Sequence, residues 1–336
     1  MILLDNNSYG SHGVNGGGGF GCWNSNPSLE NVIISGNSAN CSGGGIYCEY
    51  YSSPSLMNVI ITDNSARDGG AIYCGYSCNL CLDNLIITSN TTNVNGGAIY
   101  CANASPVLEN VQILNNWCDN EGGGIFAENN TIIEVNNSYF EENNSGMNAG
   151  GIRCNNSNVY IKNTTINNSD AFSYGGGIYA TGNSYLELYN FELLSNVASV
   201  GGGIYICNSF IDIYSSIFYN NSACDGGAII SYNSDCNIYN SLFYENGTYS
   251  GGSAIYANSS NFFLSNTTIT DNYAQSSCGG IACYSNSSMI IYNSILWNDT
   301  PPEITGSNIT INYSDIEGGW IGPRGTANID TDPLFA

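Results

Sequence analysis

Paired carboxylates are the residues whose spacing in this sequence comes nearest to a catalytic arrangement. Three acidic pairs lie close together along the chain, namely Asp63 with Asp68, Asp119 with Glu121, and Glu141 with Glu142. Two carboxyl groups about 6.5–9.5 Å apart can hydrolyse a glycosidic bond with inversion. These pairs lie in stretches rich in Asn, Ser and Gly, which are typical of solvated turns, so we predict no catalytic residue among them. The turns also lack the Asp-x-Asp-x-Asp-Gly spacing of a calcium loop.

Metal and nucleophilic chemistry have even less support. Cys78-x-x-Cys81, with Cys74 nearby, supplies only part of the four-ligand set of a structural zinc site. The single histidine, His12, precedes the regular part of the chain, so no Ser–His or Cys–His arrangement is expected along it. A lyase acting on uronates needs clustered cations, but the basic residues are scattered: Arg67, Arg153, Lys162 and Arg324. We predict no metal, no cofactor and no enzymatic activity.

The charge balance excludes further classes of partner. The chain has 27 acidic and 4 basic residues and a net charge of −23, which repels phosphate backbones and anionic lipid headgroups. No apolar run approaches the roughly 20 residues of a membrane span, and the first residues lack the basic start of a signal peptide. We expect neither nucleic-acid binding nor membrane insertion. The 14 cysteines suit an extracytoplasmic setting without deciding between disulfides and free thiols.

A repeat of 25 to 27 residues positions all of these side chains. The phrase Gly-Gly-(Gly/Ala)-Ile-Tyr recurs, and its apolar fourth position is occupied by Phe20, Ile46, Ile72, Ile99, Ile125, Ile152, Ile178, Ile204, Ile229, Ile255 and Ile281. A second phrase, (Leu/Ile/Val)-x-Asn-x-x-(Ile/Phe)-x-x-Asn, lies between successive copies of the first. Its two apolar positions begin with Leu29 and Ile34 and stay apolar in all eleven copies.

Each period thus contains three short apolar-centred segments separated by Gly, Asn or Ser, which is typical of strands. We predict an all-β fold, a right-handed parallel β-helix of about eleven coils of about 26 residues with three strands per coil. Residues 1–16 would form a partial first coil, residues 17–299 the repeats, and residues 300–336 a short final coil and cap. Structural ladders are expected from like residues stacked coil on coil, including Ile46, Ile72, Ile99 and Ile125.

Asparagine recurs at two positions of the second phrase. The first includes Asn31, Asn58, Asn84 and Asn110 and is replaced once, by Ser215. The second runs from Asn37 to Asn272 and is replaced by Ser169 and Asp299. Asparagine tolerates left-handed backbone angles in tight turns, and stacked amides can hydrogen-bond between coils. We therefore assign both positions to the scaffold.

Two further columns follow the ladder isoleucines. Strand alternation turns the second residue after each isoleucine inward, and there six coils carry cysteine: Cys22, Cys48, Cys74, Cys101, Cys154 and Cys283. Buried cysteine behaves as a small apolar residue. The position between them points outward and holds Tyr47, Tyr73, Tyr100, Phe126, Tyr179, Tyr205 and Tyr256. These rings either stack on one another to cover the sheet or form a platform for ligand binding or self-association.

The recurring phrases also carry a family resemblance. Gly-Gly-Ala-Ile at residues 69–72 and 226–229, alternating with Phe-x-x-Asn at residues 140–143 and 243–246, resembles the polymorphic outer-membrane protein repeat. The resemblance covers about residues 17 to 299. It implies a bacterial β-helix repeat protein that is secreted or displayed on the cell surface as an adhesin or stalk.

The two ends of the sequence suggest incomplete coils. Residues 4–7 match the end of the second phrase, and residues 311–316 resemble a shortened twelfth coil followed by a tail that would cap the rod. One interpretation is a fragment of a longer surface protein. The other is head-to-tail docking of coil ends, which builds a filament because such contacts do not close.

The function expected from these observations is a non-catalytic extracellular β-helix, a surface adhesin, stalk or fibre subunit with a glycan or surface protein as partner. The alternative is a polysaccharide lyase or glycoside hydrolase of the β-helix class. An enzyme should have a groove where coils break the repeat and polar side chains converge, whereas an adhesin should be uniform.

Overall fold

The computed structural model describes residues 2–4, 6–8 and 17–335, and this part of the chain contains strands and no helix. The strands pair in parallel, each with its equivalent one coil away, which confirms the predicted all-β parallel solenoid of about eleven coils. Ile72 lies in register between Ile46 and Ile99, and Ile99 pairs in turn with Ile125. Of the predicted partial first coil only residues 2–4 and 6–8 are described, and His12 lies outside the described residues.

The coils stack into three sheets, of which the largest has 24 strands and is called the long sheet here. Most coils contribute two short strands to it. Its strands are Ile2–Leu4, Ser28–Glu30, Ile33–Ser35, Ser55–Met57, Ile60–Thr62, Cys81–Asp83, Ile86–Thr88, Val107–Glu109, Gln112–Leu114, Ile132–Asn136, Tyr139–Glu141, Asn158–Asn167, Tyr185–Leu194, Phe210–Tyr214, Ile217–Tyr219, Asp235–Tyr239, Leu242–Tyr244, Asn261–Ser265, Thr268–Thr270, Ser288–Tyr292, Ile295–Trp297, Ile309–Asn312, Asp315–Ile316 and Gly325–Thr326.

The other two sheets take one strand from each coil. The narrow sheet consists of Asn7–Ser8, Ser38–Ala39, Ser65–Ala66, Thr91–Thr92, Trp117–Cys118, Asn144–Ser145, Asp170–Tyr174, Val197–Val200, Ser222–Asp225, Gly247–Ser250 and Tyr273–Ala274. The tyrosine sheet consists of Phe20–Trp23, Ile46–Glu49, Ile72–Gly75, Ile99–Ala102, Ile125–Glu128, Ile152–Asn155, Ile178–Thr181, Ile204–Cys207, Ile229–Tyr232, Ile255–Asn258, Ile281–Tyr284 and Ile304–Gly306.

The core fills the space between the sheets with columns of like side chains. Ile46 of the tyrosine sheet and Leu56 and Ile61 of the long sheet are all fully buried, as are most of their equivalents. Each such side chain contributes about 1.5–3 kcal/mol when it leaves water. The cysteine column also points inward, and burial raises the pKa of Cys154 to about 11. Buried, protonated thiols of this kind are unreactive.

Two of the three apolar segments recognised in the sequence belong to one sheet. Leu56 and Ile61 both lie on the long sheet, separated by a left-handed residue that bends the strand, and Asn58 in that bend has φ of 53°. The narrow sheet instead turns small side chains such as Ala66 and Ala198 toward the interior. It therefore has no column of large apolar residues that a hydrophobic pattern would reveal.

Glycine is favoured where the chain enters the tyrosine sheet, and Ala149 is the one residue that replaces it there with a left-handed backbone in the described coils. Gly43 has φ of +70°, and a Cβ atom there would also collide with the backbone of the following strand. The same position is left-handed in most coils, for example at Gly96 and Gly201. At the far end Trp320 is partly buried against the core beside the last strands. No helix in the described part of the chain is long and apolar enough to cross a lipid bilayer.

Candidate contact surfaces

Four rings of the predicted tyrosine row form one continuous stack on the tyrosine sheet. The ring centroids of Tyr47 and Tyr73 lie 5.0 Å apart, those of Tyr73 and Tyr100 5.1 Å, and those of Tyr100 and Phe126 5.2 Å. Adjacent ring planes differ by at most 8°. The spacing follows the distance between coils, so the backbone register brings these rings together.

This stack is largely covered by its neighbours. Tyr47 is 2% exposed and Phe126 4%, while Tyr73 and Tyr100 are half-buried. The Tyr47 hydroxyl donates a hydrogen bond of 2.5 Å to Glu49, and that of Tyr100 donates to Glu128. Burial raises the pKa values of the Tyr73 and Tyr100 phenols far above that of an exposed tyrosine. For Tyr100 the hydrogen bond to the Glu128 carboxylate adds to the effect. Most of this ring surface therefore contacts protein.

Arg153 interrupts the row. It takes the place of a ring, is buried, and its Nε donates a hydrogen bond of 2.9 Å to Glu121. Its guanidinium carbon lies 4.2 Å from the centroid of the Tyr179 ring, a cation–π distance. The row is thus divided into two groups of rings at this coil.

The second group is tilted instead of stacked. Tyr179 and Tyr205 meet nearly at right angles with centroids 5.1 Å apart, and Tyr174 packs at 4.8 Å from Tyr205. Tyr256 is linked to Tyr205 only through Tyr232. Tyr179, Tyr205 and Tyr256 are half-buried, so the structure brings the predicted residues together on one face but exposes only parts of them.

The sequence interpretation missed a more exposed stripe on the narrow sheet. Its outward side chains are Trp117, 44% exposed, Phe172, 76%, Val197, 44%, Tyr249, 59%, and Tyr273, 57%. Each lies one or three residues after the second asparagine of the repeat, or after the residue that replaces it. Strand alternation turns both of these positions outward. The signal was therefore present, but the small inward residues of this sheet concealed it.

A shallow groove of about 500 Å³ runs along this stripe. Trp117, Phe172 and Val197 line it together with the exposed Cys224. The Trp117 indole donates a hydrogen bond of 2.9 Å to Asp119, which fixes the ring. The strand pairing shifts register between Ala171 and Tyr174, the segment that contains Phe172. Such irregularities re-aim side chains, and Phe172 is the most exposed member of the stripe.

A second cleft, of about 380 Å³, lies on the outer face of the long sheet. Glu134, Glu187 and Tyr189 line it with Lys162, whose Nζ lies 5.7 Å from the centroid of the Tyr189 ring. Beside it the Tyr185 hydroxyl lies 3.2 Å from Glu187, to which it donates a hydrogen bond. The cleft combines acids, one cation and aromatic rings on an uninterrupted sheet.

The acidic pairs suggested by the sequence engage separate partners. Asp119 accepts from Trp117, whereas Glu121 pairs with Arg153. Likewise, Glu141 accepts from Tyr139 and Glu142 from Asn168. Asp63 accepts a hydrogen bond from the Thr62 hydroxyl and has φ of 56°. The Asp68 Oδ2 atom lies 3.8 Å from Arg67 Nε. Within the described residues no group of three His, Cys, Asp or Glu side chains could hold a metal ion.

The two asparagine columns occupy different corners of the coil. Asn31, Asn58, Asn84 and Asn110 are exposed and have φ between 53° and 57°. The second column is buried, and its side chains hydrogen-bond from coil to coil. In it, Asn64 Nδ2 donates to Asn90 Oδ1 at 3.0 Å, and Asn90 to Asn116 at 3.0 Å. Stacked asparagine ladders are therefore part of this solenoid.

The comparison with known families matches this repeat. The family model of the Chlamydia polymorphic membrane protein repeat matches residues 31–49, 58–75, 84–102 and 215–231. Each match runs from the exposed asparagine, or from Ser215, through the buried column into the tyrosine sheet. No curated protein and no solved structure matches the chain. By its description, the matched family is one of membrane proteins. Four segments of this parallel β-solenoid therefore match the Chlamydia polymorphic membrane protein repeat.

Proposed function

We propose that this chain is the rigid, non-catalytic extracellular part of a surface adhesin or stalk, and that it contacts its partner through the aromatic stripe of the narrow sheet. The observation that carries this proposal is the exposure of Trp117, Phe172, Val197, Tyr249 and Tyr273 along one face of a regular rod. Exposed large apolar side chains that gather on one face mark an interaction site more often than singly scattered ones do.

The chemistry of the stripe suits a glycan or a surface protein. Aromatic rings offer large apolar faces at little entropic cost, and the Asp119 and Asp170 carboxylates beside them are acceptors for hydroxyl or amide donors. The net charge of −23 disfavours phosphate-rich or strongly acidic ligands. The groove is shallow, as expected for a surface that binds an extended partner.

The tyrosine row has a different role in this proposal. Its stacked half would chiefly stiffen the rod, because Tyr47 and Phe126 have almost no surface left for a ligand. Tyr179, Tyr205 and Tyr256 keep some exposure and remain a predicted secondary contact face. The long-sheet cleft with Glu134 and Glu187 is the place where the alternative, a glycan-cleaving enzyme, would have to act.

A double substitution, Phe172→Ser with Tyr249→Ser, tests the proposal. The full chain and the variant are applied to a glycan array and to a panel of immobilised extracellular-matrix and cell-surface proteins. We expect the variant to lose at least about tenfold in affinity, equivalent to about 1.4 kcal/mol, for whichever ligand the unaltered chain retains. Hot-spot aromatic residues commonly contribute more than this.

The matched control is Tyr76→Ser, which removes a ring 60% exposed in the turn that follows the tyrosine sheet. It should leave binding unchanged while altering the surface to a similar degree. Equal losses of binding in the double variant and in Tyr76→Ser would contradict the proposed face. Release of reducing ends from the array glycans would favour the enzymatic alternative.

Head-to-tail self-association through coil ends stays a second proposal. The supporting argument is physical, since a parallel strand edge can pair with the edge of another copy. Analytical ultracentrifugation of the full chain over a concentration series measures it. A strictly monomeric rod at the highest concentration would contradict it.

A further inference from the structure

The buried asparagine ladder has a repeating hydrogen-bond scheme. In Asn272 the amide nitrogen Nδ2 donates to the carbonyl oxygens of Phe243 and Thr270, at 3.1 and 3.0 Å. It also donates to the Oδ1 atom one coil further, as does the Asn272 backbone N–H. Asn246 makes the same set of contacts with Phe218, Tyr244 and Asn272. Every ladder position therefore needs one acceptor oxygen and one donor.

Asp299 occupies the last position of this ladder. Its Oδ1 accepts from the Asn272 backbone N–H and from Asn272 Nδ2, both at 2.8 Å. Its Oδ2 replaces the amide nitrogen, and the strand register makes the Ile269 and Trp297 carbonyl groups equivalent to those of Phe243 and Thr270. Oδ2 is buried and has no hydrogen-bond partner. An ionised carboxylate cannot donate to carbonyls, whereas a protonated one can.

Glu303 brings a second carboxyl group to the same place. It is 7% exposed, and its Oε1 accepts a hydrogen bond of 2.9 Å from the Asp299 backbone N–H. Its Oε2 is also buried without a partner. Two buried carboxyl groups in contact cannot both carry a charge at an acceptable cost.

We propose that Asp299 and Glu303 bind one proton between them at neutral pH, and that loss of this proton in alkali opens the coil formed by residues 299–316. The pair would act as a pH-sensitive lock at this end of the ladder. A proton on either carboxyl group supplies the donor that the ladder position lacks, so the protonated pair continues the scheme of the asparagines above it.

The electrostatics of the pair agree with this assignment. Burial raises the pKa of Asp299 to about 6. Burial, followed by the charge of Asp299, raises the pKa of Glu303 to about 10. Asp271 and Glu317, which face the pair, add further negative charge, and the Cys278 thiol lies beside it. Because the native pair holds protons that the unfolded chain releases, its stabilising contribution is complete below the ordinary carboxyl pKa and declines up to about pH 10.

Hydrogen exchange of the full chain, corrected for the intrinsic pH dependence of exchange, tests the proposal. The protection of peptides from residues 299–316 should fall at least about tenfold between the two pKa values, while that of residues 99–128 should not change. Asp299→Asn restores the missing donor and removes the charge that acts on Glu303, so it should weaken this pH dependence and shift the fall in protection to lower pH. The matched control, Asp63→Asn, removes an exposed charge at the equivalent turn of a distant coil and should preserve the pH dependence.

Two readouts keep the test decisive even if Asp299→Asn fails to fold. In the unaltered chain, the infrared band of a protonated carboxyl group should persist at neutral pH. Its absence there would overturn the proposal, as would protection of residues 299–316 that does not change with pH. Protection that rises with calcium chloride and falls with a chelator would show that a cation, not a proton, occupies the site.

Discussion

The two asparagine columns use the same residue at the same spacing, but they depend on different parts of it. In the buried column the side chain is indispensable, since Asn221 Nδ2 donates both to Leu193 and to Asn246, at 2.8 and 3.1 Å. In the exposed column Asn163 Nδ2 also donates to Asn137 Oδ1 at 3.0 Å, but water competes for this bond. The backbone matters most there, because Asn163 has φ of 49° and lies at a bend of the long sheet. Recurrence of a residue type therefore does not by itself identify its role.

The natural replacements support this distinction. Ser215 in the exposed column keeps φ of 49°, so the bend survives without an asparagine. Ser169 in the buried column interrupts the ladder instead. Asn143 still donates to the Ile113 carbonyl at 2.7 Å, but the shorter Ser169 side chain does not accept from its Nδ2 and donates instead to the Asn167 carbonyl. The side-chain network is therefore weakest at this coil.

The largest loss of stability is expected when a buried asparagine is replaced by an apolar residue of similar size. Asn221→Leu removes the oxygen that accepts from both the backbone N–H and Nδ2 of Asn196. We expect the free energy of unfolding to fall by about 2–6 kcal/mol, since each of the two donors left without an acceptor costs ~1–3 kcal/mol. Urea denaturation followed by circular dichroism measures the loss. A loss below that of the exposed-column variants would contradict the assigned role.

Substitutions in the exposed column should depend on backbone freedom. Asn163→Val forces a β-branched residue into a left-handed conformation and should cost about 1–2 kcal/mol. Its matched control, Asn163→Gly, removes the same amide but tolerates the angle, and should change stability by less than about 0.5 kcal/mol. Equal costs for the two variants in urea denaturation would show that the side chain, not φ, matters there.

Repairing the natural gap should have the smallest effect and the opposite sign. Ser169→Asn gives Asn143 an acceptor and the ladder a continuous run past this coil. We expect a gain of about 0.5–1.5 kcal/mol, the usual net worth of one hydrogen bond. Thermal unfolding of the variant, compared with Ser215→Asn as control, measures the difference. A gain only in the control would indicate that turn chemistry dominates both columns.

The sequence predicted the features that depend on side-chain type alone. Alternation after the ladder isoleucine placed Cys74 inward, and it is fully buried. Exposure of the outward residues could not be predicted in the same way, because Tyr47 is covered by neighbours whose positions follow from the packing of adjacent coils. Phe172 was missed since its sheet turns only small residues inward. Asp299 was recognised as a ladder residue, but its contact with Glu303 forms outside the repeat.

The axial direction of the backbone hydrogen bonds has a mechanical consequence. Ile72, for example, is joined to the coils on either side of it, so neighbouring coils are linked in series along the rod. Tension applied at the two ends would act on every link at once, and the weakest coil would open first. Each coil that unreels would release about 26 residues, roughly 85 Å of slack chain. A tether built this way would lengthen in steps under shear while the remaining coils stay folded.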